Sequence, residues 1–320
     1  MTSQELRAGT PTGPGRLAAP GGDGPSSPST PPAAYRMSRG RWWREVGWRH
    51  VVGLAAVAFA VFPVLYIISA AFNPLGSVVS TDLLPRQLSL VNFQALFTDP
   101  SRPFGRWMVN TLVVCTSVTL VQVTCSALAA YAFSRFRFRG RRGGLLALLL
   151  IQMFPQILAT IALFLLFTDL GEVVPAIGLN TLLGYVLVMC GNAFAQVWLI
   201  KGFFDSIPAS LDEAATVDGA GHATIFFRIL LPLLVPILAV TSLLAFVGVI
   251  SEFLIASIFL REAGVRTVAV GLWSVIENDR SNNLGLFAAG ALLTAVPVVL
   301  LFQYLQRFIV GGITAGGVKG

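Results

Sequence analysis

The segment SLDEAATVDGAGHATIFFRILLP, residues 210–232, is a polar interruption between two long apolar runs. It contains Asp212, Glu213, Asp218 and Arg228, although charged residues make up only 12% of the 320-residue chain. Hydrophobic residues make up 55% of the sequence, and its mean hydropathy is +0.76. So few charged residues do not cover so much apolar surface in a soluble fold, so the composition indicates a protein that lies in a lipid bilayer.

Six apolar runs flank this segment, and each is long enough to cross a bilayer, which takes about 20 residues in a helix. The sequence therefore predicts an all-α polytopic membrane protein with six transmembrane helices. The predicted spans lie near residues 51–72, 107–134, 143–168, 173–200, 231–260 and 281–306, and residues 202–231 connect the fourth to the fifth.

Residues 1–45 differ in composition from the rest of the chain. They are rich in Gly, Pro, Ser and Thr, have little apolar periodicity and lack the apolar region of a signal peptide. We expect a disordered cytoplasmic tail that ends in a basic segment with Trp42 and Trp43, a composition typical of a membrane interface. Residues 46–320 then form the six-helix transmembrane domain.

The distribution of positive charge predicts the orientation. Most of the 22 Lys and Arg residues fall in the tail, the connection 135–142, the connection 202–231 and the C-terminus. By the positive-inside rule both termini and the connection 202–231 are cytoplasmic, and the chain is a multi-pass protein of the plasma or inner cell membrane. The formal charge of +7 thus reflects topology, and no nucleic-acid partner is predicted.

The connection 202–231 contains the signals of a short helix. Ser210 with Glu213 three residues later is typical of a capping box, and Gly219 supplies a left-handed stop. Ala214 and Ala215 give the helix a face without bulk. These features alone fit a protein-interaction site and a plain connector equally well.

The spacing of this connection resembles the signature of ABC importer permeases. From about residue 50 to the end, further stretches resemble permeases of the carbohydrate type. Within that type, the six-span maltose/maltodextrin branch is the most similar. Trehalose permeases share much of the same pattern. The signature residues are Glu213-Ala214-Ala215, Gly219 and Ile229-x-Leu231-Pro232, and the further stretches are NTL (110–112), AAYAFSRFRFRGRR (129–142), QMFP (152–155), FFDSIPASLDEAATVDGA (203–220), Ile250-Ser251-Glu252 with Ala256-Ser257, TVAVGL (267–272) and GGITAGGVKG (311–320).

The resemblance implies a type I ABC importer permease that docks on an ATPase through a coupling helix. Glu213 and Asp218 are then expected to contact the ATPase, Ala214 and Ala215 to allow close docking, and Gly219 to make the turn. The implied partners are a homologous second permease, two ATPase subunits, an extracytoplasmic sugar-binding protein and the lipid bilayer. A second expected ATPase contact is the C-terminal tail, with Thr314, Gly316, Gly317 and Lys319.

The chain itself lacks the means to use ATP. It contains no Gly-x4-Gly-Lys-Ser/Thr loop, so we expect ATP and Mg²⁺ on the partner ATPase and no enzymatic activity, cofactor or metal in this subunit. An ATP-independent secondary transporter is the alternative from another class. It predicts paired ionisable residues inside the spans or an inverted repeat, and neither is present in the sequence.

Glu252 is the one carboxylate inside a predicted span, and acids in the membrane are candidates for function. With Ser251 it is expected to line the upper pathway and to accept hydrogen bonds from sugar hydroxyls, although a hydrogen-bonded carboxylate at a helix end fits equally well. Neutral amides within the spans suit a hydroxyl-rich solute, but we favour contacts between helices for most of them. They are Asn110, Gln122, Gln152, Gln156, Asn192 and Gln196.

Overall fold

The computed structural model describes residues 38–74, 87–277 and 280–316, and every regular element in these ranges is helical. This confirms the predicted all-α class, and the physical reason is that a helix satisfies its own backbone N–H and C=O groups in lipid. The helices are α1 (Arg39–Trp42), α2 (Trp48–Phe72), α3 (Val91–Thr98), α4 (Phe104–Arg135), α5 (Arg141–Met153), α6 (Gln156–Val173), α7 (Leu182–Cys190), α8 (Val197–Ser206), α9 (Ser210–Val217), α10 (His222–Thr224), α11 (Leu231–Leu233), α12 (Val235–Ile250), α13 (Leu254–Phe259), α14 (Val268–Glu277) and α15 (Arg280–Gly316).

Contacts divide the chain into two units, Met1–Val57 and Ala58–Gly320. In the first unit the basic segment with tryptophans is helical: α1 continues through a π-helical turn, Trp43–Gly47, into α2. The helix therefore begins earlier than residue 51, where the first span was predicted to start. The disordered tail was predicted for residues 1–45, and its first 37 residues lie outside the described ranges.

Three helices in the described ranges are long and apolar enough to cross a membrane on their own. Two further spans are helix pairs bent by 90° and 78°, which gives up to five spans by length and composition. The predicted six spans are therefore not all continuous helices. The three long helices are Gly40–Phe72, Phe104–Arg135 and Asn283–Ile309, and the bent pairs are Arg141–Met153 with Ile157–Val173 and His222–Leu233 with Val235–Ile250.

The fourth predicted span, residues 173–200, differs most from the structure. The helix α6 extends to Val173, and the rest of the predicted span contains α7 and α8, of nine and ten residues, with the turns 191–196 between them; neither belongs to the up to five spans counted above. These turns are held by hydrogen bonds from residue i to residue i−3, as in Gly191 N to Val188 O at 3.0 Å. The turns contain Gly191, Asn192 and Gln196 and are less apolar than α7, but they contain no charged residue and no proline, so the sequence predicts one continuous span here.

Both bends lie next to prolines, as expected because proline lacks an N–H donor. The 90° bend lies at Phe154, whose ψ of 128° is extended because Pro155 follows it. The 78° bend lies at Leu234, between Pro232 and Pro236. The fifth span was predicted for residues 231–260, but its helix ends at Ile250 and α13 follows after a three-residue break.

The helix α4 is the centre of the second unit, with α7, α8, α12 and α14 packed around it. Small side chains let these helices approach closely, as is usual in membranes: Cys115 and Ala130 on α4 are fully buried. Larger buried residues gather near one end of α4, including Tyr131 and Phe204, and near its other end, including Trp107. The end at Arg135 is called the loop end below, because the connection 202–231 lies there.

At the other end of α4, polar side chains hold the loop that leads into α14. Trp107 donates its indole N–H to Ala263 O at 2.7 Å, and Asn110 donates to Gly264 O and Arg266 O at 3.1 and 3.0 Å. The Thr111 hydroxyl accepts the N–H of Val268 at 2.8 Å. Asn110 therefore bonds within the chain, but to a loop; the preferred hypothesis of contacts between helices stays a prediction for this residue.

Gly271 on α14 lies against this buried tryptophan, and replacing it with alanine is expected to destabilise the fold. A Cβ atom at position 271 would lie 2.2 Å from Trp107 Cε3, and the ring, 1% exposed and bonded to Ala263, has no room to yield. Overpacking of this kind costs about 1–3 kcal/mol. The melting temperature of purified Gly271→Ala in detergent should fall, whereas Gly248→Ala, where a Cβ meets nothing within 4 Å, should keep the wild-type value.

Candidate functional site

The short helix in the polar connection is present, but it does not begin as predicted. The helix α9 starts at Ser210 with Ala209 in the N-cap position and no side-chain capping bond. The N–H groups of Asp212 and Glu213 donate to Ala209 O at 3.0 and 3.1 Å. A backbone carbonyl, not the Ser210 side chain, therefore accepts these first-turn hydrogen bonds. The predicted capping box of Ser210 and Glu213 is therefore wrong, whereas the two acids do lie in the first turn, where the helix dipole favours them.

The end of α9 matches the prediction. Gly219 has a φ of +83°, in the left-handed region that favours glycine. Its N–H bonds to Thr216 O at 3.0 Å, and the N–H of Ala220 bonds to Ala215 O at 2.9 Å. This pair of bonds is a Schellman motif, which stops the helix and turns the chain back toward the bundle.

The two alanines of α9 point to different sides. Ala215 is 7% exposed and packs on the buried cluster at the loop end, so its small size serves the fold of this chain. Ala214 and Glu213 are exposed, and Val217 is 87% exposed. Because Glu213 and Val217 are four residues apart, they share the outer face of α9, and an apolar side chain so exposed indicates that this face binds something.

Asp218 and Gly219 are also exposed and lie at the end of the same helix. Of the five residues that the sequence singled out here, the structure therefore brings Glu213, Ala214, Asp218 and Gly219 to the surface and places Ala215 inside. We define the outer face of α9 as Glu213, Ala214, Val217, Asp218 and Gly219.

An ion pair that sequence reasoning missed fixes α9 to the centre of the bundle. Arg135, the last residue of α4, lies with Nε 2.6 Å from Asp212 Oδ2, and the two side chains are 13% and 19% exposed. The same guanidinium donates to Ile207 O at 3.0 Å. Arg135 thus links both the start of the connection and the first turn of α9 to the end of α4.

A second polar group at the loop end joins α4, α5 and α8. Lys201 Nζ lies 2.5 Å from Asp205 Oδ2, the Ser134 hydroxyl donates to Asp205 Oδ1 at 2.7 Å, and Arg141 donates to Ser134 O at 3.4 Å. Partial burial alone raises the pKa of Asp205, but the bonds from Lys201 and Ser134 and the nearby positive charges outweigh it and hold the pKa of this carboxyl below its usual value. The group therefore stabilises the loop end at neutral pH and loses that contribution only as the pH falls below the usual range of an aspartate.

Aromatic rings lie below α9. Tyr131 contacts Phe136, Phe204 and Phe226 with ring centroids 5.2, 5.9 and 5.0 Å apart. His222 meets the edge of Phe136 at 5.1 Å. The tyrosine and phenylalanine rings belong to the buried cluster at the loop end, which contains residues of α4, α8 and α9.

Glu252 lies outside the helices, in the break between α12 and α13. Its Oε1 accepts the N–H of Ile255 at 2.7 Å, and its Oε2 accepts the N–H of Ala256 at 2.9 Å and the Tyr185 hydroxyl at 2.7 Å. The carboxylate therefore caps α13 and ties it to α7, the alternative that the sequence left open. Ser251 is exposed at the end of α12, and a contact of either residue with a sugar stays a prediction.

We expect Glu252→Ala to lower stability more than it lowers sugar affinity, because it removes the cap from two N–H groups and the partner of Tyr185. Loss of a cap alone costs about 1 kcal/mol. Tyr185→Phe should cost less, and the double variant should be no worse than Glu252→Ala, since both changes act on one set of bonds. Melting in detergent tests this order; a stable Glu252→Ala protein with a raised KM for uptake would instead support a sugar contact.

The second predicted ATPase contact is mostly outside the described residues. Gly317 and Lys319 lie beyond residue 316, and Thr314 and Gly316 belong to α15, which ends at Gly316. In the described ranges no group of three or more His, Cys, Asp and Glu residues is placed to hold a metal.

A family model described as the binding-protein-dependent transport system inner membrane component matches residues 122–314. The maltose/maltodextrin transport system permease protein MalG of Photorhabdus laumondii is 40% identical over 87% of this chain and 97% of its own length. MalG of Escherichia coli K12 is 38% identical over 85% of this chain and 95% of its own length.

Two solved structures share the fold. One is a bacterial ABC transporter involved in the import of the acidic polysaccharide alginate, with a TM-score of 0.69, 24% identity and coverage of 86% of this chain and 99% of that one. The other is a bacterial alginate ABC transporter in complex with an alginate pentasaccharide-bound periplasmic protein, with a TM-score of 0.62, 17% identity and coverage of 83% and 96%.

Proposed function

This chain belongs to the family of inner membrane components of binding-protein-dependent transport systems, and on that premise we propose that it is the permease subunit of an ATP-driven importer of maltose or maltodextrin. It has the fold of a type I ABC importer permease and is a transport component, not an enzyme. The observation that carries the proposed mechanism is the outer face of α9, which is exposed while its inner face is locked to α4 by Arg135.

In this proposal the outer face of α9 docks on an ATPase subunit. Closure of two ATPase subunits on ATP and Mg²⁺ displaces α9, and the displacement reaches α4 through Arg135 and Asp212. Since α4 packs against α7, α8, α12 and α14, its movement switches the pathway between inward- and outward-facing states. Thr314, Gly316, Gly317 and Lys319 are proposed as a second ATPase contact.

The remaining partners are a homologous second permease, which supplies the other half of the pathway, and an extracytoplasmic sugar-binding protein. The charge distribution supports an orientation with both termini in the cytoplasm, so that the loop end faces the ATPase. The sugar is proposed from the relatives, which are named for maltose and maltodextrin. Trehalose or another oligosaccharide is the alternative within the same mechanism.

Uptake by the reconstituted complex tests this function. The chain is purified with its second permease and ATPase, placed in proteoliposomes and supplied with the binding protein and radiolabelled maltose. We expect uptake that requires ATP and the binding protein and that stops with orthovanadate. Uptake driven by an ion gradient without ATP would instead identify a secondary transporter, and ATP-dependent uptake of trehalose but not maltose would change the sugar alone.

A further inference from the structure

The connection between α4 and α5 concentrates positive charge on one surface. Residues 137–143, called the arginine loop below, line an open depression of about 700 Å³. Four of them are arginines, namely Arg137, Arg139, Arg141 and Arg142. All but Arg141, which is half-buried, are exposed, so their guanidinium groups are accessible from outside the chain.

The acids at the loop end do not neutralise this charge. Asp212 is paired with Arg135, and Asp205 is paired with Lys201. Three arginines of the loop form no ion pair and no side-chain hydrogen bond with any described residue: Arg137, Arg139 and Arg142. Since these charges lack a partner within the described part of the chain, they are available to an anion outside it.

The arginine loop is held on one side and open on the other. The ring of Phe138 contacts that of Phe133 on α4, with centroids 5.5 Å apart, so the loop is fastened to the end of that helix. Gly140, with a φ of +91°, then turns the chain into α5. A Cβ atom at Gly140 or at Gly143 would meet nothing within 4 Å, which shows that the surface between the arginines has room for a ligand.

Apolar surface begins directly beside these charges. Leu146 is the first exposed apolar residue of α5, and at 1.5 Å per residue it lies about 6 Å along the helix from Arg142. The exposed apolar face continues to Leu150 and Ile151, and the half-exposed ring of Phe138 adds apolar surface at the level of the loop. Long arginine side chains at the end of a span keep their charged groups at the membrane interface. Unpaired cations next to a lipid-facing helix match the two parts of a phospholipid, its phosphate and its acyl chains.

We propose that the arginine loop binds the phosphate group of an anionic phospholipid, whose acyl chains lie along the exposed face of α5. A guanidinium group binds a phosphate through two parallel N–H bonds, and basic pockets between spans bind acidic headgroups. A headgroup with net negative charge complements the loop, whereas a zwitterionic headgroup brings a positive charge of its own. The inference goes beyond the proposed function and does not depend on which solute is carried. Because Arg137 is two residues from Arg135, the bound lipid holds the end of α4 to which α9 is paired.

Photo-cross-linking tests the site. The complete complex is placed in nanodiscs with a trace of photoactivatable phosphatidylglycerol or, in a parallel sample, photoactivatable phosphatidylcholine, and the cross-linked residues are located by mass spectrometry. We expect phosphatidylglycerol to label residues 137–151 at least about tenfold more than phosphatidylcholine does, because an arginine near an anionic surface contributes about fivefold to binding.

Two matched variants show whether the arginines carry this preference. Arg137→Gln, Arg139→Gln and Arg142→Gln combined should lower the phosphatidylglycerol labelling more than about tenfold. The same three positions changed to lysine should keep most of it, since the charge remains. The melting temperature of the glutamine variant in uncharged detergent should equal that of the wild type, because the three side chains form no bonds within the described part of the chain.

Several outcomes would overturn the proposal. Equal labelling of residues 137–151 by the two lipids is one, and this comparison uses the wild-type complex, so it decides even if a variant is unstable. Undiminished labelling of the glutamine variant is another; if that variant also no longer co-purifies with the ATPase, the loop binds an acidic surface of that subunit instead. Labelling that an excess of inorganic phosphate removes would show that the loop binds a free anion and not a lipid.

Discussion

Glu213→Lys is expected to abolish ATP-dependent uptake while the chain remains folded in the membrane. Glu213 is exposed on the outer face of α9 beside Val217, and no ion pair within the described residues uses it, so its replacement leaves the loop end intact. A reversed charge at a docked interface costs about 2–5 kcal/mol. At about 1.4 kcal/mol per tenfold, the affinity for the ATPase should fall more than about thirtyfold.

The measurement is the amount of ATPase that co-purifies with the chain, followed by uptake in proteoliposomes. Glu172→Lys is the matched control, because Glu172 is also exposed but lies at the end of α6 away from the loop end. It should retain the ATPase. Wild-type ATPase recovery and uptake in Glu213→Lys would show that α9 docks on nothing through this face.

The parts of this fold that the sequence predicts are those set by composition or by one residue's backbone preference. Apolar runs gave the all-α class and the position of α4, and the stop of α9 at Gly219 follows because few other residues adopt a φ of +83°. The bend at Phe154 was signalled by Pro155. Each of these features follows from a short stretch of sequence, so it can be predicted without knowing how the helices pack.

What the sequence did not predict depends on contacts between distant segments. The break at 191–196 contains no proline, and side chains from α4 and α5 support it. For Glu252 the sequence left a helix-end carboxylate and a sugar contact equally open, because apolar composition conceals the end of α12 at Ile250 and the bonds to Ile255, Ala256 and Tyr185. A carboxylate counted as lying inside a span is therefore a helix cap in the structure.

The loop end shows the same limit. Ser210 has the residue type of an N-cap, but the chain already has helical φ and ψ angles at Ala209, so the carbonyl of that residue accepts the first bonds. In the sequence, Arg135 contributes only one of the positive charges on which the positive-inside rule rests. Its pairing with Asp212 is visible only when the end of α4 is known to lie under α9.

Breaking the Arg135–Asp212 pair is expected to uncouple ATP hydrolysis from transport. Arg135→Ala leaves a carboxylate with little access to water, and Asp212→Ala leaves a guanidinium in the same position. Loss of one partner of a fully buried pair costs about 3–5 kcal/mol; with 13% and 19% exposure remaining, we expect the lower end of that range. The outer face of α9 is unchanged, so the ATPase should still bind, but its movement no longer reaches α4.

The decisive measurement is the ratio of sugar transported to ATP hydrolysed in proteoliposomes, which should fall in both single variants while ATP hydrolysis continues. The exchanged pair Arg135→Asp with Asp212→Arg should recover part of the ratio, and a double-mutant cycle separates the pair from its surroundings. Lys201→Ala is the matched control, since it removes an ion pair at the same end whose Asp205 side chain is 46% exposed and accepts a second bond from Ser134. If Arg135→Ala lowers ATPase binding and transport in equal proportion, the pair only holds the docking helix in shape; if transport alone is lost, Arg135 is the residue through which the movement of α9 enters the membrane.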